Sequence, residues 1–171
     1  MDLKKRLELG QSKKQTDEIV EYVDGRPDRF KQLVEVFLSG PFRVTQRAAW
    51  PLSICVEYWP YLIVPHLNNL LNFLHKPRIH DAVARNILRL LQFVDIPTRQ
   101  HGRVSELCFN YLRHRKVAVA IRVCSMTVLY NIANHYPAMR KELQLVIEDQ
   151  IPYGTAALKS RGMKVLKMLA D

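Results

Sequence analysis

The sequence predicts an all-α fold, and three observations support this prediction. Apolar residues recur at helical spacing through most of the 171 residues, which is the pattern of helices that bury one face. No Asn-Gly or Asp-Gly pair separates two alternating apolar runs, so the main signal for β-hairpins is missing. A pattern of arginine and apolar positions also returns about every 38 residues, which is typical of proteins built from repeated helical units.

Residues 12–40 are expected to form cap helices. Residues 12–24 have Ile19, Val20 and Val23 on one side, which predicts an amphipathic helix. A second helix follows and ends at Ser39-Gly40-Pro41. Its apolar face consists of Phe30, Leu33, Val34, Phe37 and Leu38. We expect residues 12–40 to cap the fold and residues 1–10 to be frayed.

Two proline-containing helices are predicted next. Residues 43–60 read "RVTQRAAWPLSICVEYWP" and turn one apolar face inward. Pro51 lies inside this helix, where a proline costs about 3 kcal/mol unless the helix bends. Residues 60–74, "PYLIVPHLNNLLNFL", open at Pro60, because proline suits the first turn of a helix. The inward residues of 43–60 are Val44, Ala48, Leu52, Cys55 and Val56.

Five further helices complete the prediction. Residues 80–94 carry an apolar face, and the next helix ends near "RHRK" at residues 113–116. Residues 117–134 are apolar around most of the circumference, which predicts a central helix. Helices at about 138–150 and 155–170 follow. The apolar positions of the first two are Val83, Ile87, Leu90, Leu91 and Val94, then Val104, Leu107, Cys108, Tyr111 and Leu112.

A column of arginines marks the repeat. Arg47, Arg85, Arg122 and Arg161 are separated by 38, 37 and 39 residues. Two positions after each arginine the residue is apolar, and further apolar positions recur in the same register. We therefore predict a unit of about 38 residues that forms a pair of antiparallel helices. The residues two positions after the arginines are Ala49, Ile87, Cys124 and Met163.

The repeated unit resembles the HEAT repeat. "RVTQRAAWPLS" followed by "PYLIVPHLNNLLNFL" is similar to the inner helix of one HEAT repeat and the outer helix of the next. Pro65 stands where HEAT outer helices often carry a proline, and the resemblance covers roughly residues 27–170. It implies a right-handed superhelix of four to five helix pairs in a single domain over residues 1–171. The period is shorter than the ~40–47 residues that are typical.

The resemblance implies that inner helices line a concave face that holds partners, and the charge indicates what those partners carry. The net charge is +10, and residues 76–122 contain ten Lys and Arg against three Asp and Glu. We predict an anion-facing set of Arg85, Arg89 and Arg122. The alternative is that such arginines bond the neighbouring repeat. Asp81 lies four residues before Arg85 and could pair with it, whereas Arg89 has no obvious local acid.

A second candidate surface is the "RHRK" cluster. Arg113, Arg115 and Lys116 are dense enough to attract anions, and Lys76 and Arg78 stand at the corresponding bend one unit earlier. Both clusters are expected on one edge of the stack. Basic residues near a helix end can instead complement the helix dipole.

Trp59 belongs to a concentration of aromatic residues between positions 50 and 61. Its place near a helix end makes it the better candidate for a partner contact, with core filling as the alternative. Together these residues predict a non-catalytic scaffold that binds an acidic protein segment.

Nucleic acid is the alternative partner, which includes activity like that of alkylpurine DNA glycosylases. Certain members of that group are built from HEAT-like repeats, and Asp81 or Asp95 would be the acid here. Phosphate loops, dinucleotide-binding glycine patterns and zinc-binding His-Glu spacings do not occur in the sequence. We therefore expect neither cofactor nor metal and no catalysis.

The cysteines indicate a reducing compartment. Cys55, Cys108 and Cys124 each lie among apolar residues at helical spacing, which predicts buried, reduced thiols in a cytoplasmic protein. No apolar run reaches the ~18 residues that span a bilayer, so we expect no membrane partner.

Overall fold

Ten α-helices and two short 3₁₀ helices form the regular structure of residues 1–76 and 79–170, which the computed structural model describes. No β-strand occurs in these two ranges, and the predicted all-α fold is confirmed. The helices are α1 (Leu3–Glu8), α2 (Lys13–Val23), α3 (Pro27–Ser39), α4 (Phe42–Tyr58), α5 (Leu67–Leu74), α6 (Asp81–Leu91), α7 (Thr98–Arg113), α8 (Val119–Ala133), α9 (Pro137–Gln150) and α10 (Ala156–Ala170), with 3₁₀ helices at Pro60–His66 and Ile151–Tyr153.

The chain divides into two compact units, Met1–Asp95 and Ile96–Asp171. In the first unit α4 is central and packs against α1, α2, α3 and α6. In the second unit α8 is central, with α7, α9 and α10 packed around it. The expectation of a single domain over residues 1–171 stays a prediction.

The central position of α8 follows from its composition. Its apolar residues are spread around the helix, and buried side chains occur from Ile121 to Ala133. An α-helix that is apolar on all sides is stable where neighbours cover each side. The predicted central helix is therefore confirmed, with α7, α9 and α10 as its cover.

The first ten residues are better ordered than we expected. Asp2 caps α1, since its side chain accepts a hydrogen bond from the Lys5 backbone N–H at 3.0 Å. Leu3 and Leu7 are buried, and α1 packs against α3 and α4. The expectation of fraying is wrong for Leu3–Glu8, because two leucines four residues apart supply an apolar face that the unit covers.

The two internal prolines have different consequences. α4 continues through Pro51, whose side chain is buried. The segment predicted as one helix over residues 60–74 instead begins as the 3₁₀ helix Pro60–His66 and becomes α-helical at Leu67. Pro65 lacks the N–H that an α-helical bond to residue 61 requires, which favours the tighter turn before it.

The apolar column of the repeat is not buried uniformly. Ala49 and Ile87 are buried, Cys124 is half-buried and Met163 is 59% exposed. In its own unit α10 packs against α8, α9 and the 3₁₀ helix Ile151–Tyr153. Its buried residues are therefore confined to a narrow stripe, and Met163 lies outside it: Leu158, Gly162 and Val165. Ala49, by contrast, lies on the central helix α4, which packs against four helices and buries this residue.

Candidate functional site

Two arginines of the repeat column form hydrogen bonds inside the compact unit to which they belong. Arg47 donates from Nη1 to the carbonyls of Leu7 and Glu8 at 2.8 and 2.9 Å, at the end of α1. Arg161 donates from Nη1 to Thr127 Oγ1 at 2.7 Å. Both contacts reach a preceding helix, as the structural alternative for this column predicted.

Arg122 is buried, with 5% of its surface exposed. Its Nε donates to the Leu112 carbonyl at 3.2 Å and its Nη2 to Gln150 Oε1 at 2.7 Å. Burial lowers the pKa of Arg122, and the charge of Arg115 acts in the same direction. The prediction that Arg122 faces an anion at the surface is contradicted, because its hydrogen-bond donors point into the second unit.

The sequence suggested an ion pair for Arg85 and none for Arg89, and the structure shows the reverse for the residues that it describes. Arg85 is exposed, and no ion pair with Asp81 forms among the described residues. Arg89, which has no nearby acid in the sequence, lies 2.9 Å from Glu57 at the end of α4. Helix packing supplies this carboxylate from a distant position of the chain. A partner-binding role for Arg85 and Arg89 stays a prediction.

Two residues of the "RHRK" segment, Arg113 and Arg115, line the main candidate site, which we call the basic cleft. Arg113 forms an ion pair with Glu142 and lies over the Phe109 ring at 4.8 Å. The guanidinium of Arg115 lies 3.9 Å from the centroid of the Tyr153 ring. The cleft has a volume of about 470 Å³ and is lined by Arg113, Arg115, Leu145, Val146, Asp149 and Gln150.

The basic cleft combines cations with exposed apolar surface. Leu145 is 66% exposed on its wall, and Tyr153 beside Arg115 is 69% exposed. Lys116 is exposed and takes part in no ion pair of the described residues. Asp149 accepts a hydrogen bond from Gln150 Nε2 at 2.6 Å. The cleft can therefore offer charge and apolar contact to the same ligand.

Sequence reasoning missed Leu145 and Tyr153. Leu143 and Ile147 form the buried stripe of α9, and Leu145 falls between them on the opposite side. This departure from the apolar period was visible in the sequence. Tyr153 gave no comparable signal, because it lies in the 3₁₀ helix after α9 and meets Arg115 through folding.

The structure describes only part of the second basic bend, which contains Lys76 and Arg78. Arg78 lies outside the described residues. The ammonium of Lys76 lies 4.4 Å from the centroid of the Phe73 ring. The shared edge proposed for Lys76 and the "RHRK" cluster stays a prediction.

Trp59 lies in the first unit and does not line the basic cleft. It is half-buried and meets Tyr58 edge to face at 5.7 Å. Its indole lies beside the turn between α2 and α3, where Gly25 has a φ of 66° and Tyr61 donates to the Gly25 carbonyl at 2.7 Å. These contacts favour a packing role, and the partner contact stays a prediction.

The cysteine environments match their apolar sequence context. Cys55 and Cys108 are buried, and burial raises the pKa of each thiol to about 12. Both are neutral thiols near pH 7, the less reactive form. Cys124 is only half-buried, so the prediction of a buried thiol does not hold for it.

The acids considered for a glycosylase are not part of the basic cleft. Asp81 and Asp95 are both exposed, and neither lines it. Within residues 1–76 and 79–170, no group of three His, Cys, Asp or Glu side chains is arranged to hold a metal ion. None of the helices in these ranges combines the length and apolarity needed to cross a membrane.

Comparison with known proteins identifies the family. No curated protein and no solved structure matches the chain. The family model described as a HEAT repeat domain matches residues 3–169, nearly the whole sequence. The helical repeat, the proline positions and the family match agree, and this chain belongs to the HEAT repeat domain family.

Proposed function

We propose that this chain is a non-catalytic scaffold that binds an acidic segment of a partner protein in the basic cleft. HEAT repeats generally serve as protein-interaction scaffolds. The observation that supports the specific site is a cleft lined by Arg113 and Arg115, with the exposed Lys116 next to Arg115 in the chain. Carboxylates of an extended segment match these cations in charge and in hydrogen-bonding capacity.

The buried charge of Arg122 strengthens this attraction. Its two bonded acceptors are a carbonyl and an amide oxygen, neither of which carries a charge. A cation bonded to neutral groups contributes a positive field at the nearby surface. Arg122 lies next to the cleft, since its guanidinium donates to Gln150, which lines it. Arg122 therefore supports anion binding through its charge rather than by contact.

The remaining lining favours a peptide over a nucleic-acid backbone. Leu145 on the wall of the cleft, and Tyr153, which packs against Arg115, expose apolar surface that a protein side chain can cover. Asp149 lines the same cleft and Glu142 pairs with Arg113. These carboxylates repel a continuous run of phosphates, whereas a peptide can place its acids selectively.

Fluorescence anisotropy with a labelled Glu/Gly octapeptide tests the proposal. The triple variant Arg113→Gln, Arg115→Gln, Lys116→Gln should bind about tenfold more weakly or worse, since each exposed charge pair contributes up to ~1 kcal/mol. The matched control replaces Lys159, Lys164 and Lys167 on α10 with Gln, which removes the same charge outside the cleft. Its affinity should change by less than about twofold.

Three outcomes would overturn the proposal. Unchanged affinity of the cleft variant for the acidic peptide would show that the peptide does not bind in the basic cleft. Equal weakening in the cleft and α10 variants would show a response to net charge alone. Tighter binding of a DNA duplex than of the acidic peptide at the same salt concentration would favour nucleic acid.

A further inference from the structure

A second groove in the first unit has the opposite chemistry. Trp50, Ile54 and Tyr58 recur every four residues on α4 and form one side of the groove. Trp50 and Ile54 are half-buried and Tyr58 is 64% exposed. The other side consists of Lys13, Asp17, Val20 and Glu21 of α2, and the enclosed volume is about 340 Å³. We call this the α2–α4 groove.

Lys13 shows what this groove attracts. Its ammonium lies 2.7 Å from Asp17 Oδ2, while the lysine side chain is 81% exposed. The hydrogen bond and the charge of Asp17 raise the pKa of Lys13, and Tyr58 adds a smaller effect in the same direction. The chain thus pairs one of its own cations with a carboxylate in a groove that Tyr58 also lines.

The groove has a second carboxylate, that of Glu21, which is available to bind a cation from a partner. Glu21 lies one turn beyond Asp17 on α2 and also lines the groove. It is exposed and takes part in no ion pair of the described residues. With Lys13 counted, the groove carries one more negative than positive charge. Its electrostatic preference is therefore opposite to that of the basic cleft.

We propose that the α2–α4 groove binds an arginine side chain of a partner protein, flanked by aliphatic residues. A guanidinium can stack on the Trp50 or Tyr58 ring while it bonds a carboxylate, and arginine combines these contacts better than lysine. The flanking aliphatic groups cover Ile54 and Val20. This goes beyond the acidic segment assigned to the basic cleft.

Isothermal titration with acetyl-Gly-Leu-Arg-Leu-Gly-amide tests the proposal on the full chain. The same peptide with citrulline or glutamate in place of arginine supplies the uncharged and the acidic comparison. We expect measurable binding of the arginine peptide, at least about fivefold weaker binding of the citrulline peptide, and none of the glutamate peptide. Equal affinity for the arginine and citrulline peptides would show that only apolar contacts bind the peptide, and it would overturn the inference.

Emission from Trp50 locates the binding. Trp50 and Trp59 are the two tryptophans of the sequence, so the Trp59→Phe variant reports on Trp50. The arginine peptide should change its emission. A titration signal without a change in emission would place the peptide elsewhere. Asp17→Asn with Glu21→Gln should abolish both signals, while Glu35→Gln on α3 should preserve them.

Lys13 supplies a test that a merely structural groove would not pass. Lys13→Met removes the resident cation and should increase affinity for the arginine peptide several-fold. Lys31→Met is the matched control, because Lys31 forms an exposed (i, i+4) pair with Glu35 on α3. Weaker binding by Lys13→Met, or the same gain in both variants, would contradict competition at Asp17. The acidic peptide, whose site is the basic cleft, should bind both variants equally, so failure of the two proposals can be told apart.

Discussion

Arg122 and Arg85 stand at equivalent positions of the repeat and have opposite surroundings. Arg122 is buried and supplies donors to the Leu112 carbonyl and to Gln150, whereas Arg85 is exposed. Hydrogen bonds from charged donors contribute more than neutral ones when they are buried. The same residue type at the same repeat position therefore serves the interior in one unit and the surface in the other.

Replacing these two arginines by methionine should separate the two roles. Arg122→Met should lower the free energy of unfolding by about 1.5–3 kcal/mol, because it leaves buried acceptors without their donor. Arg85→Met should change it by less than about 0.5 kcal/mol, as surface substitutions do. Urea denaturation followed by circular dichroism measures both. An equal loss in the two variants would contradict the assignment of Arg122 to the interior.

At the scale of elements, glycines decide how closely helices approach. Gly162 is buried in α10, and a Cβ there would lie 3.1 Å from Ile147 Cγ2 and 3.2 Å from Ile151. Gly102 is exposed in α7, and a Cβ there would meet nothing within 4 Å. The first glycine permits close packing between α10 and α9. The second has no comparable packing role.

Substitution of the two glycines should have opposite effects on stability. Gly102→Ala should raise the free energy of unfolding by up to ~1 kcal/mol, since alanine favours the helix over glycine. Gly162→Leu should lower it by about 1–3 kcal/mol, because added atoms overpack the contact with Ile147 and Ile151. Thermal or urea unfolding checks both. A stabilising Gly162→Leu would show that α10 can move away from α9 at little cost.

At the scale of the whole molecule, charge is divided unevenly between the two units. Residues 1–95 contain 14 Lys and Arg against 11 Asp and Glu, whereas residues 96–171 contain 12 against 5. The basic cleft lies in the more basic unit and the α2–α4 groove in the other. These charges fit the opposite ligands that we propose for the two surfaces.

The two surfaces should respond independently to substitution. The triple Gln variant of Arg113, Arg115 and Lys116 should lose the acidic peptide and keep the arginine peptide within about twofold. Asp17→Asn with Glu21→Gln should do the reverse, since the effects of separate sites add. Titration of each variant with both peptides measures this. Loss of both ligands in either variant would indicate general unfolding or a shared site.

The candidate sites were predicted in part by local sequence. Arg113, Arg115 and Lys116 are adjacent or nearly so in the chain, so their cluster was visible as a run of charge. The partners of the cations were not visible. Glu57 is 32 residues from Arg89 and Glu142 is 29 residues from Arg113. Such pairs depend on which helices pack together, and repeat spacing does not specify every contact between them.

The sequence by itself determined the helical class, the repeat and the family resemblance, because apolar period and proline placement are local properties of the chain. Only the tertiary structure decided which arginines are buried, that Leu3–Glu8 is a packed helix, and that Met163 is exposed. The physical reason is that burial of a residue depends on which side of its helix the neighbouring helices cover. Ala49 lies on a covered side of α4, whereas Met163 lies outside the buried stripe of α10, so equivalent residues have different surroundings.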